Sequence, residues 1–409
     1  MILYSGLIQA KRGNLMSGLI TLNPEIRDAI VESGGEDVIK CYQCGRCMAA
    51  CPWNFLEALN YTTYRFCQRI RLGAIIESEE KEAIAVDTID VFRCVGCDSC
   101  KHECPRGVSL SDVLRAVRRI LVEYDSYPSE LKSVVSRLYN TGNPLGEPSE
   151  SRADWATDLK VEQFDAATHE YVYFPCCVPA YDQRARKVAQ ATAKILKKAG
   201  VQFGILGKEE FCCGEAVRRV GAEKVFQTAV KHNTEVFAKA GMSKVITTSP
   251  HCYTTFKNEY PEYYNNIDAL HATQLFAQFM SQKKIAPKKP FHKTVVYHDP
   301  CTLGRQMGVF EEPRDVLKSI PELKLIEVPV FNREYSICCG GGAMGLWRDW
   351  PQDERLANLR TEQILETGAE IIAVACPYCL QMFEETLKTM NVDIPVMDVA
   401  EILYESLAE

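Results

Sequence analysis

The sequence predicts an α+β multidomain chain in which a helical, cysteine-bearing module precedes two repeated α/β lobes. Three observations lead there. Two cysteine groups of identical spacing lie near the N-terminus, short apolar strands alternate with helical stretches after residue 169, and the C-terminal part repeats itself at a period of about 125 residues.

The chain has 409 residues, 46% of them hydrophobic and 25% charged, which is an ordinary globular composition with length for two or three domains. Nothing approaches the roughly 18 uncharged apolar residues of a membrane span. The opening MILYSGLIQAKRGNLMSGLI is interrupted by Lys11, Arg12 and Asn14, so a soluble protein is expected, with any membrane association made through partner subunits. A net charge of −7 without a Lys/Arg block argues against nucleic acid as a ligand. There are 19 cysteines and no secretory signal, and reducing compartments do not use thiols as disulfide staples. A cytoplasmic location and metal ligation by the thiols follow as expectations. Cys67 alone stands outside the four tight cysteine groups and reads as a buried structural thiol.

Residues 1–40 lack cysteine and form a lead-in, with a short helix in PEIRDAIVESG stopped by Gly34 and Gly35. Residues 41–125 hold the first two cysteine groups. They close on a helix for which Ser109-x-x-Asp112 offers a cap and Leu110, Val113, Leu114, Val117, Ile120 and Leu121 form one apolar face. Residues 126–168, with TGNPLGEPSESRAD and few apolar runs, read as a linker. From 169 onward, YVYF, KVITT, TVVYH and EIIAVA alternate with stretches such as RARKVAQATAKILKKAG, the pattern of α/β units with parallel strands. In this part YVYFPC overlays VVYHDPC, FCCG overlays ICCG, and SPHC overlays CPYC, which divides it into lobes 169–285 and 286–409.

The first cysteine group is Cys41-x2-Cys44-x2-Cys47-x3-Cys51-Pro52 and the second is Cys94-x2-Cys97-x2-Cys100-x3-Cys104-Pro105. This is the spacing of a [4Fe-4S] cubane: three closely spaced thiolates take three irons, and the fourth, before proline, crosses to the other cluster. Cys41, Cys44, Cys47 and Cys104 are thus expected to hold one cubane, and Cys94, Cys97, Cys100 and Cys51 the other. Structural zinc would need only two C-x2-C pairs, and two identical spacings exclude accident. The 42 residues between Cys51 and Cys94, with a helical reading of NFLEALNYTTYRFCQRIRLGA, make the module a helical ferredoxin-type domain.

In the second lobe, Cys301, Cys338-Cys339-Gly340-Gly341-Gly342 and Cys376-Pro377-Tyr378-Cys379 supply five thiols, one more than a cubane needs. Adjacent cysteines point apart in an extended chain, so only a tight turn, which the glycines permit, can aim both at one site. The glycines also bring backbone N–H groups close to sulfur. The pattern resembles the CCG domain of heterodisulfide reductases. Two ferredoxin motifs followed by two CCG lobes, a match over nearly the whole chain, is similar to the layout of heterodisulfide reductase D subunits and of their relatives in sulfate reduction, glycolate oxidation and anaerobic aromatic degradation. The resemblance implies that a complete CCG lobe holds a noncubane [4Fe-4S] cluster at which a disulfide is split or formed. The matching ligands here are Cys301, Cys338, Cys339, Cys376 and Cys379.

The first lobe departs from that pattern, because Ser249 stands at the position equivalent to Cys376 and the glycine run shortens to Gly214-Glu215-Ala216. Cys176, Cys212, Cys213 and Cys252 remain, with Cys177 beside the first. Four thiolates suit zinc, a smaller cluster or an ordinary cubane. A metal is expected there, and a single noncubane cluster in the chain.

His298 and Asp299, just ahead of Cys301, are candidates to protonate a leaving thiolate or to hydrogen-bond cluster sulfur, although a strand-end His-Asp-Pro also caps turns. Arg305, Trp347 and Arg348 stand near enough in sequence to meet an anionic substrate, and packing serves them equally well. His251 and His102 are weaker candidates. The reading reached is an iron–sulfur oxidoreductase subunit whose paired cubanes relay electrons to the noncubane cluster for disulfide or dithiol chemistry. Its alternative is a purely electron-transferring subunit of a larger redox complex, with substrate chemistry on a partner. No G-x-G-x-x-G follows a strand at the right place, so a flavin is expected on a partner subunit, which would be a flavoprotein, an iron–sulfur protein or a membrane cytochrome.

Overall fold

The computed structural model describes residues 20–57, 59, 61–78, 81–84, 88–264 and 267–407. The opening segment 1–19, read above as part of the lead-in, lies outside the described residues. Among the described residues no helix is long and apolar enough to cross a membrane. The chain divides into two compact units. One comprises Met1–Ser133, Ala216–Lys224 and Gly342–Glu354, and the other Val134–Glu215, Val225–Gly341 and Arg355–Glu409.

The first unit is built on the helix Leu110–Glu123, whose predicted apolar face, Leu110, Val113, Leu114, Val117, Ile120 and Leu121, is buried throughout. It packs against the helix Pro24–Ile30 and the turn Val31–Gly35, where Gly34 takes φ 95° and stops the lead-in helix. The expected cap takes a different form. The Ser109 side chain makes no capping bond, and the Ser109 N–H instead donates to Asp37 Oδ2 over 2.8 Å, a carboxylate supplied from another turn. A three-stranded antiparallel sheet, ordered β1 (Ile20–Leu22), β2 (Ala74–Ser78) and β3 (Lys81–Ile84), was not foreseen.

The second unit holds two parallel four-stranded sheets. The first lobe orders β5 (Phe203–Gly204), β4 (Tyr171–Phe174), β6 (Lys244–Thr247) and β7 (Asp268–His271); the second orders β9 (Lys324–Ile326), β8 (Thr294–Tyr297), β10 (Ile371–Val374) and β11 (Val396–Asp398). The four strands predicted from apolar runs are the central pair of each sheet. Helices cover both faces of a parallel sheet, so its inner strands are apolar without alternation, and β10 is buried along its whole length.

The lobes pack as two copies related by a two-fold axis would. Helix Arg186–Lys198, near the start of the first lobe, packs on Val399–Ser406 at the end of the second, and Ala272–Ser281 at the end of the first packs on Glu311–Lys318 near the start of the second. Arg184 pins the pair across the boundary, 2.5 Å from Glu384 Oε1 and 2.8 Å from Glu401 Oε1.

Residues 126–168 are more structured than a linker. Ser129–Thr141 is a helix with Leu131, Val134, Val135 and Leu138 buried, and Trp155 is buried edge-on against Tyr173 at 5.4 Å. Those four apolar positions follow the helical period without forming a continuous run, so a search for runs passes over them.

Candidate metal centres

Two cavities in the first unit gather the ferredoxin-type cysteines. Cys41, Cys44, Cys47 and Cys104 line one, and Cys51, Cys94, Cys97 and Cys100 line the other. In each, three closely spaced thiols meet the last cysteine of the opposite motif. Gly45, at φ 81°, turns the chain into the short helix Arg46–Ala50, which carries Cys47. None of the 19 cysteines is in a disulfide.

The two cavities differ in their surroundings. In the first, Gln43 Nε2 donates to Cys41 Sγ over 3.2 Å and Thr63 Oγ1 to Cys47 Sγ over 3.3 Å, while Cys44 is exposed. Cys67 lines the same cavity, and its hydrogen bond to Cys41 pulls the Cys41 thiol below its ordinary range and pushes its own up. Sequence reasoning set Cys67 aside. Its signal was the four-residue step from Thr63, which puts both on one face of the helix Thr63–Leu72. The thiols of the second cavity are the more buried, and burial pushes up those of Cys51, Cys94 and Cys100. At Cys94 the buried Arg118 opposes that push, with its guanidinium donating to the carbonyls of Val91 (2.7 Å) and Cys94.

In the second lobe, β8 ends at Tyr297, His298 follows it and the chain leads on to Cys301, a loop carries Cys338 and Cys339, and the helix Pro377–Met390 opens beside Cys376 and carries Cys379. All five thiols are buried. Cys301 Sγ lies 3.6 Å from Cys338 Sγ, and Cys339 Sγ lies 3.3 Å from Cys379 Sγ. The turn between the adjacent cysteines works as expected. Gly340 takes φ 88° and its N–H donates to Cys338 Sγ over 3.3 Å. A Cβ on Gly341 would stand 3.1 Å from Met382 Cγ and 3.7 Å from Cys339 Sγ, so the cradle around the sulfurs is close-fitting. Hydrogen bonds with Cys338 and Cys379 hold the Cys339 thiol well below its ordinary range. At Cys376 burial resists ionisation, but hydrogen bonds with Cys379 and His251 outweigh it, and the thiol falls to about 6.

His298 is wholly buried. Arg360 Nε donates to its Nδ1 over 3.2 Å, which places the ring proton on Nε2, an atom with no hydrogen-bond partner in the protein. A ring nitrogen of His298 and the sulfurs of Cys339 and Cys379 lie within 4.8 Å of one another. A buried N–H whose neighbours are the Cys339 and Cys379 sulfurs fits an iron–sulfur group with its sulfur acceptors. Asp299 is occupied elsewhere, bound by both arms of Arg314 at 2.6 and 2.8 Å and by the Arg333 N–H at 2.8 Å. Arg305 donates to the carbonyls of Glu334 and Ser336, and Arg348 to the Phe92 carbonyl. His102 is exposed on the helix Ser99–His102.

The first lobe also collects its thiols. Cys212 lies close enough to Cys177 and Cys213, and Cys252 to Cys176 and Cys213, for each to perturb the other's ionisation, and all five are buried. Cys176 takes φ 79° and ψ 159°, a backbone region that glycine alone enters freely and that marks sites where geometry is imposed from outside. Gly214 repeats the turn of Gly340, with φ 87° and its N–H donating to Cys212 Sγ over 3.4 Å. Arg152, paired with Glu210, donates to Cys177 Sγ over 3.4 Å. Ser249 accepts from the Cys252 N–H and caps the helix Pro250–Asn258.

Fold and sites together define a class, the iron–sulfur oxidoreductases of electron transfer. The 4Fe-4S dicluster domain family matches residues 37–108, and the cysteine-rich CCG domain family matches 171–257 and again 295–384. Over 390 residues the chain is 31% identical to the D subunit of the dihydromethanophenazine:CoB–CoM heterodisulfide reductase of Methanosarcina barkeri, covering 90% of this chain and 93% of that one. The chain belongs to the family of heterodisulfide reductase D subunits. It is also 32% identical over 419 residues to the EtfAB:quinone oxidoreductase of Syntrophomonas wolfei, with 91% of this chain covered, and 32% identical over 347 residues to the iron-sulfur-binding oxidoreductase FadF of Bacillus subtilis, with 82% covered. Of these two longer relatives it spans 58% and 48%, about half their length.

Proposed function

We propose that the chain relays electrons through two [4Fe-4S] cubanes, held by Cys41, Cys44, Cys47 and Cys104 and by Cys94, Cys97, Cys100 and Cys51, to a noncubane [4Fe-4S] cluster held by Cys301, Cys338, Cys339, Cys376 and Cys379. When bound, the noncubane cluster supplies a sulfur-binding redox site for splitting a disulfide or forming one from two thiols. Splitting a disulfide takes two electrons and two protons and leaves two thiols, so a carrier that delivers electrons singly suits it. The observation carrying this reading is the burial of five unbridged thiols in one lobe, two of which, Cys339 and Cys379, lie with a ring nitrogen of His298 within 4.8 Å of one another. His298 acts there as a hydrogen-bond donor to ligand sulfur. Cys176, Cys212, Cys213 and Cys252 hold a further metal, zinc or iron–sulfur.

A second reading, a purely conducting subunit with substrate chemistry on a partner, is favoured by the burial of all five second-lobe thiols, of which Cys301 is the most open at 8%. In either case the chain works within a larger redox complex beside a flavoprotein, another iron–sulfur subunit or a membrane cytochrome. The exposure of Cys44 supports exchange of electrons with such a partner at the first cavity.

Iron and zinc content of anaerobically purified protein, with EPR of the oxidised form recorded with and without added thiol, separates the two. About twelve irons, as three four-iron clusters require, and a thiol-dependent signal support the disulfide chemistry. About twelve irons without a thiol response support conduction alone. About eight irons would remove the noncubane cluster from the chain.

A further inference from the structure

Three of the first lobe's departures from the complete cysteine pattern bear on one another. Where the second lobe has Cys376, Gly341 and Tyr378, the first has Ser249, Glu215 and His251. Loss of the thiol at Ser249 alone would suggest a decayed copy. The other two replacements add polar groups to a buried region, which is costly unless they are partnered. His251 is 5% exposed and Glu215 6%, and His251 Nδ1 stands 3.1 Å from Glu215 Oε1. The ring stacks on Tyr378 with centroids 4.4 Å apart and an interplanar angle of 27°. Tyr378 lies between Cys376 and Cys379 in the second lobe, so the stack carries His251 out of its own lobe and onto the turn that bears both of those thiols.

We propose that Glu215 and His251 form a positioning dyad through which the first lobe serves the second lobe's metal centre. Glu215 fixes the imidazole from one side, Tyr378 fixes its plane, and the opposite ring edge donates to Cys376. The two-fold packing of the lobes explains why this is possible. Each helix that opens with the Cys-x2-Cys position or its serine variant starts at the boundary, so a residue two places after Ser249 faces the equivalent residue two places after Cys376. The swap has a reverse side, since Tyr378 sits close enough to Cys176, Cys212 and Cys213 to feel their charge. A histidine in place of tyrosine thus turns one of two equivalent contacts into a donor aimed at a single centre, the one with the full set of thiols.

The inference rests on the assignment of a cluster to the second lobe. Its test is EPR-monitored redox titration of the anaerobically purified full chain, as wild type and as His251→Phe, Glu215→Gln and His251→Gln. Phenylalanine keeps the stack on Tyr378 and removes the donor. We expect His251→Phe to move the midpoint of the second-lobe signal to more negative potential and to change its line shape, with iron and zinc content and both cubane signals unchanged. Glu215→Gln should move it the same way by a smaller amount, and His251→Gln should restore part of the shift. An unshifted second-lobe signal in both His251→Phe and Glu215→Gln overturns the dyad and leaves the cluster assignment standing. A wild-type protein without that signal overturns both. Should His251→Phe fail to fold, Glu215→Gln, which keeps size and removes charge, decides by the same shift.

Discussion

Arg360 Nε donates to Nδ1 of His298 over 3.2 Å inside the second lobe, with both side chains wholly buried. Burial holds the His298 ring below its ordinary basicity against an opposing pull from the Cys339 thiol, and Arg360, a neighbouring cation, adds to the fall, so the ring is neutral with its proton on Nε2. Removing the acceptor strands a buried guanidinium N–H. His298→Phe should therefore destabilise the metal-free fold by about 1–3 kcal/mol, the cost of an orphaned buried donor. His298→Gln, which keeps an acceptor oxygen, should cost less. Denaturant unfolding of the two variants checks the order.

The pair Asp299 and Arg314 makes a stronger claim on stability. Its charged atoms are 2.6 and 2.8 Å apart, and the side chains are 2% and 0% exposed. Arg314→Met leaves Asp299 buried without its cation and should cost about 3–5 kcal/mol, whereas the double variant with Asp299→Asn should recover much of that. Melting temperatures of the two, with wild type, give the comparison.

The cavity linings predict which cysteines act together. Cys104→Ser should remove or alter the same EPR signal as Cys44→Ser, and Cys51→Ser the same signal as Cys97→Ser. Pairing within each motif instead of across would show Cys104→Ser affecting the Cys97 signal.

Two side chains donate to sulfur in the first cavity, Gln43 to Cys41 and Thr63 to Cys47. Such bonds stabilise the more negative, reduced state of a cluster. Thr63→Val keeps the shape and loses the donor, and with a net hydrogen-bond strength of about 0.5–1.5 kcal/mol the midpoint of that cluster should fall by roughly 20–60 mV. Potentiometric titration reads the shift directly.

Much of this was legible in the chain itself. The cysteine spacings are local, because three thiols two residues apart can meet one ion only from one loop, and the central strands β4, β6, β8 and β10 stand out because a parallel sheet buries both faces. The helix Leu110–Glu123 was equally plain from its period. The helix Ser129–Thr141 was harder to see, since four apolar residues at helical intervals leave no run, and the short sheet pairs β1 with β2, a segment distant from it in sequence.

What the sequence determined by itself is the inventory of chemistry: the eight thiols of two ferredoxin-type motifs, the repeat, the complete second set of thiols and the incomplete first. Which atoms neighbour which was decided by tertiary structure. Cys67 looked solitary and lies beside Cys41. Asp299 looked like an acid and is held by Arg314. His251 looked like a weak candidate in a depleted lobe and stacks on Tyr378, two residues from Cys376, in the other. The physical reason is common to all three. Spacing along a chain reports only contacts made within a loop or a helix turn, whereas burial and pairing of charged and thiol groups depend on which surfaces the packing brings together.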